Sequence, residues 1–269
     1  MPPVRELAAH REAARQFRKV ASALRAIAAA NLGHAERVRA AATTYEHRVE
    51  TTLATLSVSE NRAPTAETIV AFVAEGGFCG SIDDAVFKRI RRISSAATRT
   101  ILVGRRGARR ARDAALHFSE ALPMAAHIAD FDERIAAVSA RISPDETALF
   151  LAPSIHGGAQ SIIERTVGPR TVLDGGTALP LTNQPISDLV RALNRESIHA
   201  AIALMIAECF SAENIVRFRL MDSACRRADE TSAALTAAIN HARDAQISED
   251  IFEIFMADSA SMSVDNSAQ

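Results

Sequence analysis

The chain has 269 residues, of which 48% are hydrophobic, 23% charged and only 4% aromatic. With one Tyr and no Trp its apolar content is aliphatic, which suits closely packed helices better than a β-sandwich. A formal net charge of −1 gives no global pull toward nucleic acid or acidic lipid, and three cysteines (Cys79, Cys209, Cys225) cannot build a disulfide framework.

Helix breakers partition the chain. Ten of the 11 glycines lie between Gly76 and Gly176, and seven of the nine prolines between Pro64 and Pro185. The flanks carry only Gly33, Pro2 and Pro3. Gly and Pro punctuate secondary structure most strongly, so residues 1–63 read as one long helix, 64–185 as an α/β domain and 186–258 as a second long helix, with a polar tail at 259–269. The first ten residues lack the apolar segment of a secretory signal. In the distal third the longest apolar stretch, Ala200 to Ala207, is far short of the roughly 20 residues of a membrane helix.

In the first segment, alternate steps of three and four from Leu7 to Leu56 pass through Ala14, Phe17, Ala21, Leu24, Ala28, Ala35, Val38, Ala42, Tyr45 and Val49; this is a coiled-coil seam. The last segment repeats the pattern through Ile198, Ile202, Met205, Cys209, Ala212 and Val216, then Leu235, Ile239 and Ala242, then Ile247, Ile251 and Ile254. Residues 1–60 carry nine cationic and six anionic side chains, residues 186–269 seven and thirteen, so the two helices attract. A compact connecting domain lets the chain return on itself as an antiparallel pair, the alternative being two independent amphipathic helices in a bundle.

The middle alternates strand and helix. Strands are expected at Thr68–Ala74, Thr100–Val103, Met124–Ala129, Thr147–Ala152, Ser161–Val167 and Thr171–Leu173, and helices at Asp83–Ile93, from Gly107 to about Glu120, and at Asp132–Ile142. This implies a small, mainly parallel sheet.

Chemical motifs are sparse. Gly76, Gly77 and Gly80 match neither a dinucleotide fingerprint nor a P-loop, and the residues around Cys79 do not form a nucleophile elbow, so Gly77, Cys79 and Gly80 read as a structural turn needing positive φ. Arg105, Arg106, Arg109, Arg110 and Arg112 form the one dense basic run; without interleaved aromatics it reads as a solvated or partner-facing surface ahead of a phosphate or nucleic-acid site. The eight histidines show no metal-ligand spacing. No catalytic, cofactor-binding or metal residue is assigned.

Five segments, in order, resemble the gamma subunit of F-type ATP synthases. Lys19-Val-Ala-Ser-Ala-Leu24 with Ile27-Ala-Ala-Ala30 is similar to K-I-T-K-A-M and V-A-A-S, Gly77-Phe-Cys-Gly80 to G-L-C-G, and Gly104-Arg-Arg-Gly107 to a glycine–basic–basic–glycine turn. Ser211-Ala-Glu213 with Arg217, Met221 and Ala224 matches S-E-x-x-A-R-M-x-A-M in part. Asn240-His-Ala-Arg-Asp-Ala-Gln-Ile247 running to Glu253-Ile254 is similar to N-K-A-R-Q-A-x-I-T-Q-E-x-x-E-I. Ser22, Asn31 and Asp222 stand where the family usually has lysine, and Gly76 where it has a basic residue. These departures suggest a divergent bacterial branch such as the alternative, sodium-type ATPases.

The resemblance implies a non-catalytic rotor. The paired terminal helices would form a shaft inside the alpha–beta hexamer, and the α/β domain would lie near the epsilon subunit and membrane c-ring, at the cytoplasmic face of the bacterial inner membrane. Ion flow through the ring would drive rotary ATP synthesis, or hydrolysis in reverse, with no cofactor, nucleic acid or small-molecule substrate of the subunit's own. Arg243, Gln246, Glu249 and Asp250 are the expected hexamer contacts, with Arg105 and Arg106 on a rotor-foot or partner surface. Leu24, Ile27, Ile247, Ile251, Ile254 and Phe255 are expected in the packed shaft tip. Two other classes stay open: a small-molecule enzyme on the α/β domain, and a coiled-coil adaptor unrelated to ATPases.

Overall fold

The computed structural model describes residues 4–56, 58–60, 66–95, 97–172 and 183–265, apart from the side chains of 59, 60, 172 and 255–265. In chain order the elements are α1 (Val4–Thr55), β1 (Val58–Glu60), β2 (Thr68–Phe72), α2 (Asp84–Ile93), β3 (Arg99–Val103), α3 (Arg105–Asp113), β4 (Glu120–Leu122), α4 (Phe131–Ser139), β5 (Ala148–His156), β6 (Ala159–Val167), β7 (Arg170–Val172) and α5 (Ile186–Asp265). The chain divides into two compact units, Met1–Arg25 with Met221–Gln269, and Ala26–Leu220.

The first unit is a helix pair. Ala21 of α1 is buried against Met221 and Cys225 of α5, with Leu24 and Ala224 half-buried beside them. Arg18 pairs with Asp229 at 2.5 Å and Arg25 with Asp222 at 2.8 Å, so the partner's number falls as that of α1 rises and the helices run antiparallel. Both pairs join a cation of α1 to an anion of α5, as the segment charges require.

In the second unit the pairing keeps the same sense: Asn31 meets Asn214, Arg39 meets Glu208 and Tyr45 donates to Glu196. On α1 every seventh residue from Ala28 is buried, through Ala35, Ala42 and Val49, and Leu56 just past its end continues the series. Alanine at the first three of these positions lets the helix axes approach closely.

A five-stranded sheet in the order β4-β3-β2-β5-β6 fills the centre of this unit. β2 pairs in parallel with β3 and β5, β3 in parallel with β4, and β6 closes one edge antiparallel to β5. A separate antiparallel pair joins β1 to β7, with Val58 opposite Val172. β2 is buried on both faces, which explains its unbroken apolar run. Ile69, Ala71 and Val73 face α2 and α3; Val70 and Phe72 face a core built with Phe131 and Val138 of α4, Ala35 of α1 and Ile198, Ile202, Met205 and Phe210 of α5. Phe131 and Phe210 meet edge-on, centroids 5.5 Å apart. Each such large side chain contributes about 1.5–3 kcal/mol by burial.

Three differences from the sequence reading have local causes. α1 ends at Thr55, not 63, and β1 follows it. α3 stops at Asp113 because Ala115 adopts φ 52° and the Leu116 amide turns back to the Ala111 carbonyl at 2.9 Å. That early stop brings Glu120–Leu122, not Met124–Ala129, beside β3, with Glu120 opposite Ile101. α5 carries a window apolar and long enough to cross a membrane by composition, but 78% of it is buried in the fold, as befits a core helix.

Candidate functional site

The turn after β2 is held from three sides. Buried Asp83 accepts the Ala74 amide at 2.9 Å and Arg110 at 3.2 Å. Glu75 turns its carboxylate onto the Arg105 amide at 2.8 Å and the Met124 amide at 3.0 Å, and the Arg105 guanidinium closes on it at 2.5 Å. From α5, Glu213 accepts the amides of Glu75 and Gly76 at 2.7 and 3.2 Å. Arg217 donates to the Gly77 carbonyl at 3.1 Å, to Asn214 at 2.8 Å and to Glu213 at 3.1 Å. Main-chain amides that a turn would leave unpaired are thus satisfied by one helix's side chains.

Phe78 and Gly80 take positive φ, 59° and 60°. Phe78 is exposed while Cys79 is buried, its Sγ donating to the Gly76 carbonyl at 3.3 Å. Burial pushes the Cys79 thiol up to about 11, so it is a poor nucleophile at neutral pH. Burial also raises the Glu213 carboxyl, against the Glu75 and Gly76 amides and Arg217, which hold it down. Glu213 and Arg217 lie in the fourth family-like segment of the sequence, which by itself gives them no role; the readable signal is an acid–base pair four residues apart, just after the apolar stretch Ala200 to Ala207.

Gly104 closes the neighbouring turn. At φ 137°, a Cβ there would come within 2.0 Å of the Val73 carbonyl oxygen, and one at Gly107 within 2.4 Å of the Val73 side chain. Glycine at both positions lets α3 pack directly on β2.

The remaining site residues fall into two groups. Arg105 and Arg106 are exposed at the start of α3, Arg105 engaged by Glu75. Arg243, Gln246, Glu249 and Asp250 are all exposed on α5. Of the expected shaft residues, Leu24 is half-buried against α5, while Ile27, Ile247, Ile251 and Ile254 are 56%, 55%, 62% and 70% exposed; the Phe255 side chain lies outside the described residues. Ile27 lies within the paired span, on an exposed side of α1; for the three isoleucines of α5 the cause is register. With Arg18 opposite Asp229 and Arg25 opposite Asp222, α1 begins opposite residues close to 243. Burial along α5 follows Met221, Cys225, Ala228, Ser232, Leu235, Ile239 and Ala242 and then ceases, so residues 243–254 have no partner in α1. At about 100° per residue, Ile247, Ile251 and Ile254 share one side of this overhang, flanked by Arg243, Gln246 and Asp250. Among the described residues no three His, Cys, Asp or Glu side chains converge as a metal site would require.

A sequence model described as ATP synthase matches residues 3–260. The ATP synthase gamma chain of Hyphomonas neptunium is 24% identical over 293 aligned positions, spanning 94% of this chain and 98% of its own. A chain in the structure of Euglena gracilis mitochondrial ATP synthase, OSCP/F1/c-ring in rotational state 3, superposes with a TM-score of 0.63 at 11% identity, covering 96% of this chain and 94% of that one. A chain from the central stalk and c-ring of Tetrahymena thermophila mitochondrial ATP synthase gives 0.58 at 10% identity, covering 76% and 99%. By the matched family and by its long terminal helices around a small α/β sheet, the chain belongs to the gamma-subunit family of ATP synthases.

Proposed function

We propose that this chain is the central-stalk rotor subunit of a bacterial F-type ATP synthase, non-catalytic by itself, which couples ion flow through a membrane ring to rotary synthesis or hydrolysis of ATP in an alpha–beta hexamer. One observation carries the reading: α5 runs on past its last contact with α1 and presents Ile247, Ile251 and Ile254 to solvent. Three isoleucines along one side of a free helix end form an exposed apolar strip of the kind a partner covers. The hexamer is that partner, with Arg243, Gln246, Glu249 and Asp250 making its polar contacts. The alanine seam between α1 and α5 supplies stiffness to transmit torque.

The α/β domain meets the epsilon subunit and the c-ring, with Arg105 and Arg106 on a partner-facing surface. The complex is membrane-associated, and this subunit sits peripherally at the cytoplasmic face of the inner membrane. The test is copurification of the tagged full-length chain with alpha, beta, epsilon and c subunits, followed by ATP hydrolysis of the reconstituted complex. Recovery of a stoichiometric, ATP-hydrolysing assembly is the expected result; a chain that stays monomeric with all subunits present would overturn the assignment.

A further inference from the structure

Nine cationic side chains stand on α2 and α3, and most have partners. Arg89 pairs with Glu164 at 2.7 Å, Arg105 with Glu75 at 2.5 Å and Arg110 with Asp83 and Asp84 at 3.2 and 2.6 Å. Arg91 donates to the Ala114 carbonyl, and Arg112 lies over the Phe118 ring. Arg106 and Arg109 have no carboxylate partner among the described residues, yet they line one cleft of about 260 Å³ with Gly76 and Gly77. The cleft lies beyond the carboxyl ends of β2 and β3, where parallel α/β sheets bind ligands.

Its acids do not neutralise it. The Glu75 carboxylate is spent on Arg105 and two main-chain amides, and Asp113, at the far end of α3, is exposed to water and pairs with neither free arginine. The two glycines bring the turn's main chain close to guanidinium groups, Gly76 against Arg217 and Gly77 against Arg106. A Cβ at Gly77 would sit 3.4 Å from Nη1 of Arg106, which places that guanidinium directly over the turn. A planar guanidinium offers paired donors matched to a phosphate's oxygens. The volume is below the roughly 300–1,000 Å³ of an enclosed drug-sized pocket, so it suits a phosphate group and not a whole nucleotide.

We propose that this cleft is a phosphate site, in which Arg106 and Arg109 clamp either inorganic phosphate or the terminal phosphate of a nucleoside polyphosphate whose remainder stays in solvent. The inference goes beyond the rotor assignment and does not rest on it, because the isolated full-length chain is the test material. Phosphate, ADP and ATP are titrated separately against chloride of equal ionic strength, with calorimetry for affinity and the amide resonances of Gly77 and Arg106 for location. A saturable response at those amides is expected. Tighter binding of ADP and ATP than of phosphate identifies a polyphosphate ligand; equal or weaker binding identifies free phosphate.

Arg106→Gln with Arg109→Gln should weaken binding by at least ~10-fold, since charged hydrogen bonds are lost. Lys88→Gln with Arg92→Gln, which removes the same two charges from exposed α2 surface, should leave it unchanged. Circular dichroism checks that the variants are folded. No saturable response to any of the three anions would overturn the proposal. So would an equal response in the Arg106→Gln, Arg109→Gln variant, or an equal loss in the Lys88→Gln, Arg92→Gln variant, which marks diffuse surface charge.

Discussion

The Glu213 carboxylate accepts the Glu75 amide at 2.7 Å across 138 residues of sequence, fastening the turn after β2 to the middle of α5. The carboxylate is buried and also holds the Gly76 amide and Arg217. Glu213→Ala strands two main-chain donors and takes from Arg217 its carboxylate partner, leaving it the Gly77 carbonyl and Asn214. It should lower unfolding free energy by about 2–4 kcal/mol in urea denaturation.

The same carboxyl makes stability depend on pH. Folding raises its pKa above about 4.5, chiefly through burial. A group raised in the folded state contributes stability that is complete below its unfolded value and is lost as pH climbs through the folded one. Glu213→Gln should therefore remove a decline in stability that the unaltered chain shows as pH rises above about 4.5, measured by urea midpoints across that range.

Gly104→Ala should be among the most damaging single-methyl additions. Positive φ strains any side chain there, and the contact is with the main chain of Val73, which cannot swing aside. A loss of about 3 kcal/mol or more is expected by thermal or urea unfolding. Gly33→Ala, which meets nothing within 4 Å on a helix, should instead stabilise by about 0.5–1 kcal/mol.

Combined Ile247→Ser, Ile251→Ser and Ile254→Ser should leave the unfolding free energy of the isolated chain within about 0.5 kcal/mol, because those side chains are mostly exposed and have no partner in α1. The same variant should bind the alpha–beta hexamer at least ~10-fold more weakly, read by pull-down with purified subunits. A large fall in the chain's own stability would show that they pack internally.

Cys79 should resist alkylation by iodoacetamide at pH 7.5 in the native chain and react fully in urea, since the thiol is buried with its pKa pushed up to about 11. Mass spectrometry reads both states. Rapid native labelling would mean that the turn opens.

The two long helices were legible from sequence because a heptad pattern and a dearth of Gly and Pro are local properties, written wherever the chain must stay helical. The mainly parallel sheet was legible for the same reason: β2, β3 and β5 are buried on both faces and so read as apolar runs between glycine turns. Short β4 was misplaced because nothing local marks a three-residue strand; pairing with Ile101–Val103 creates it. Likewise, Ile247 looks like any other seam residue in the sequence. Only the register set by Arg18–Asp229 and Arg25–Asp222 reveals that α1 has already ended there. Periodicity says that a helix has an apolar side, whereas the partner for that side is a long-range property that exists only once the chain has folded.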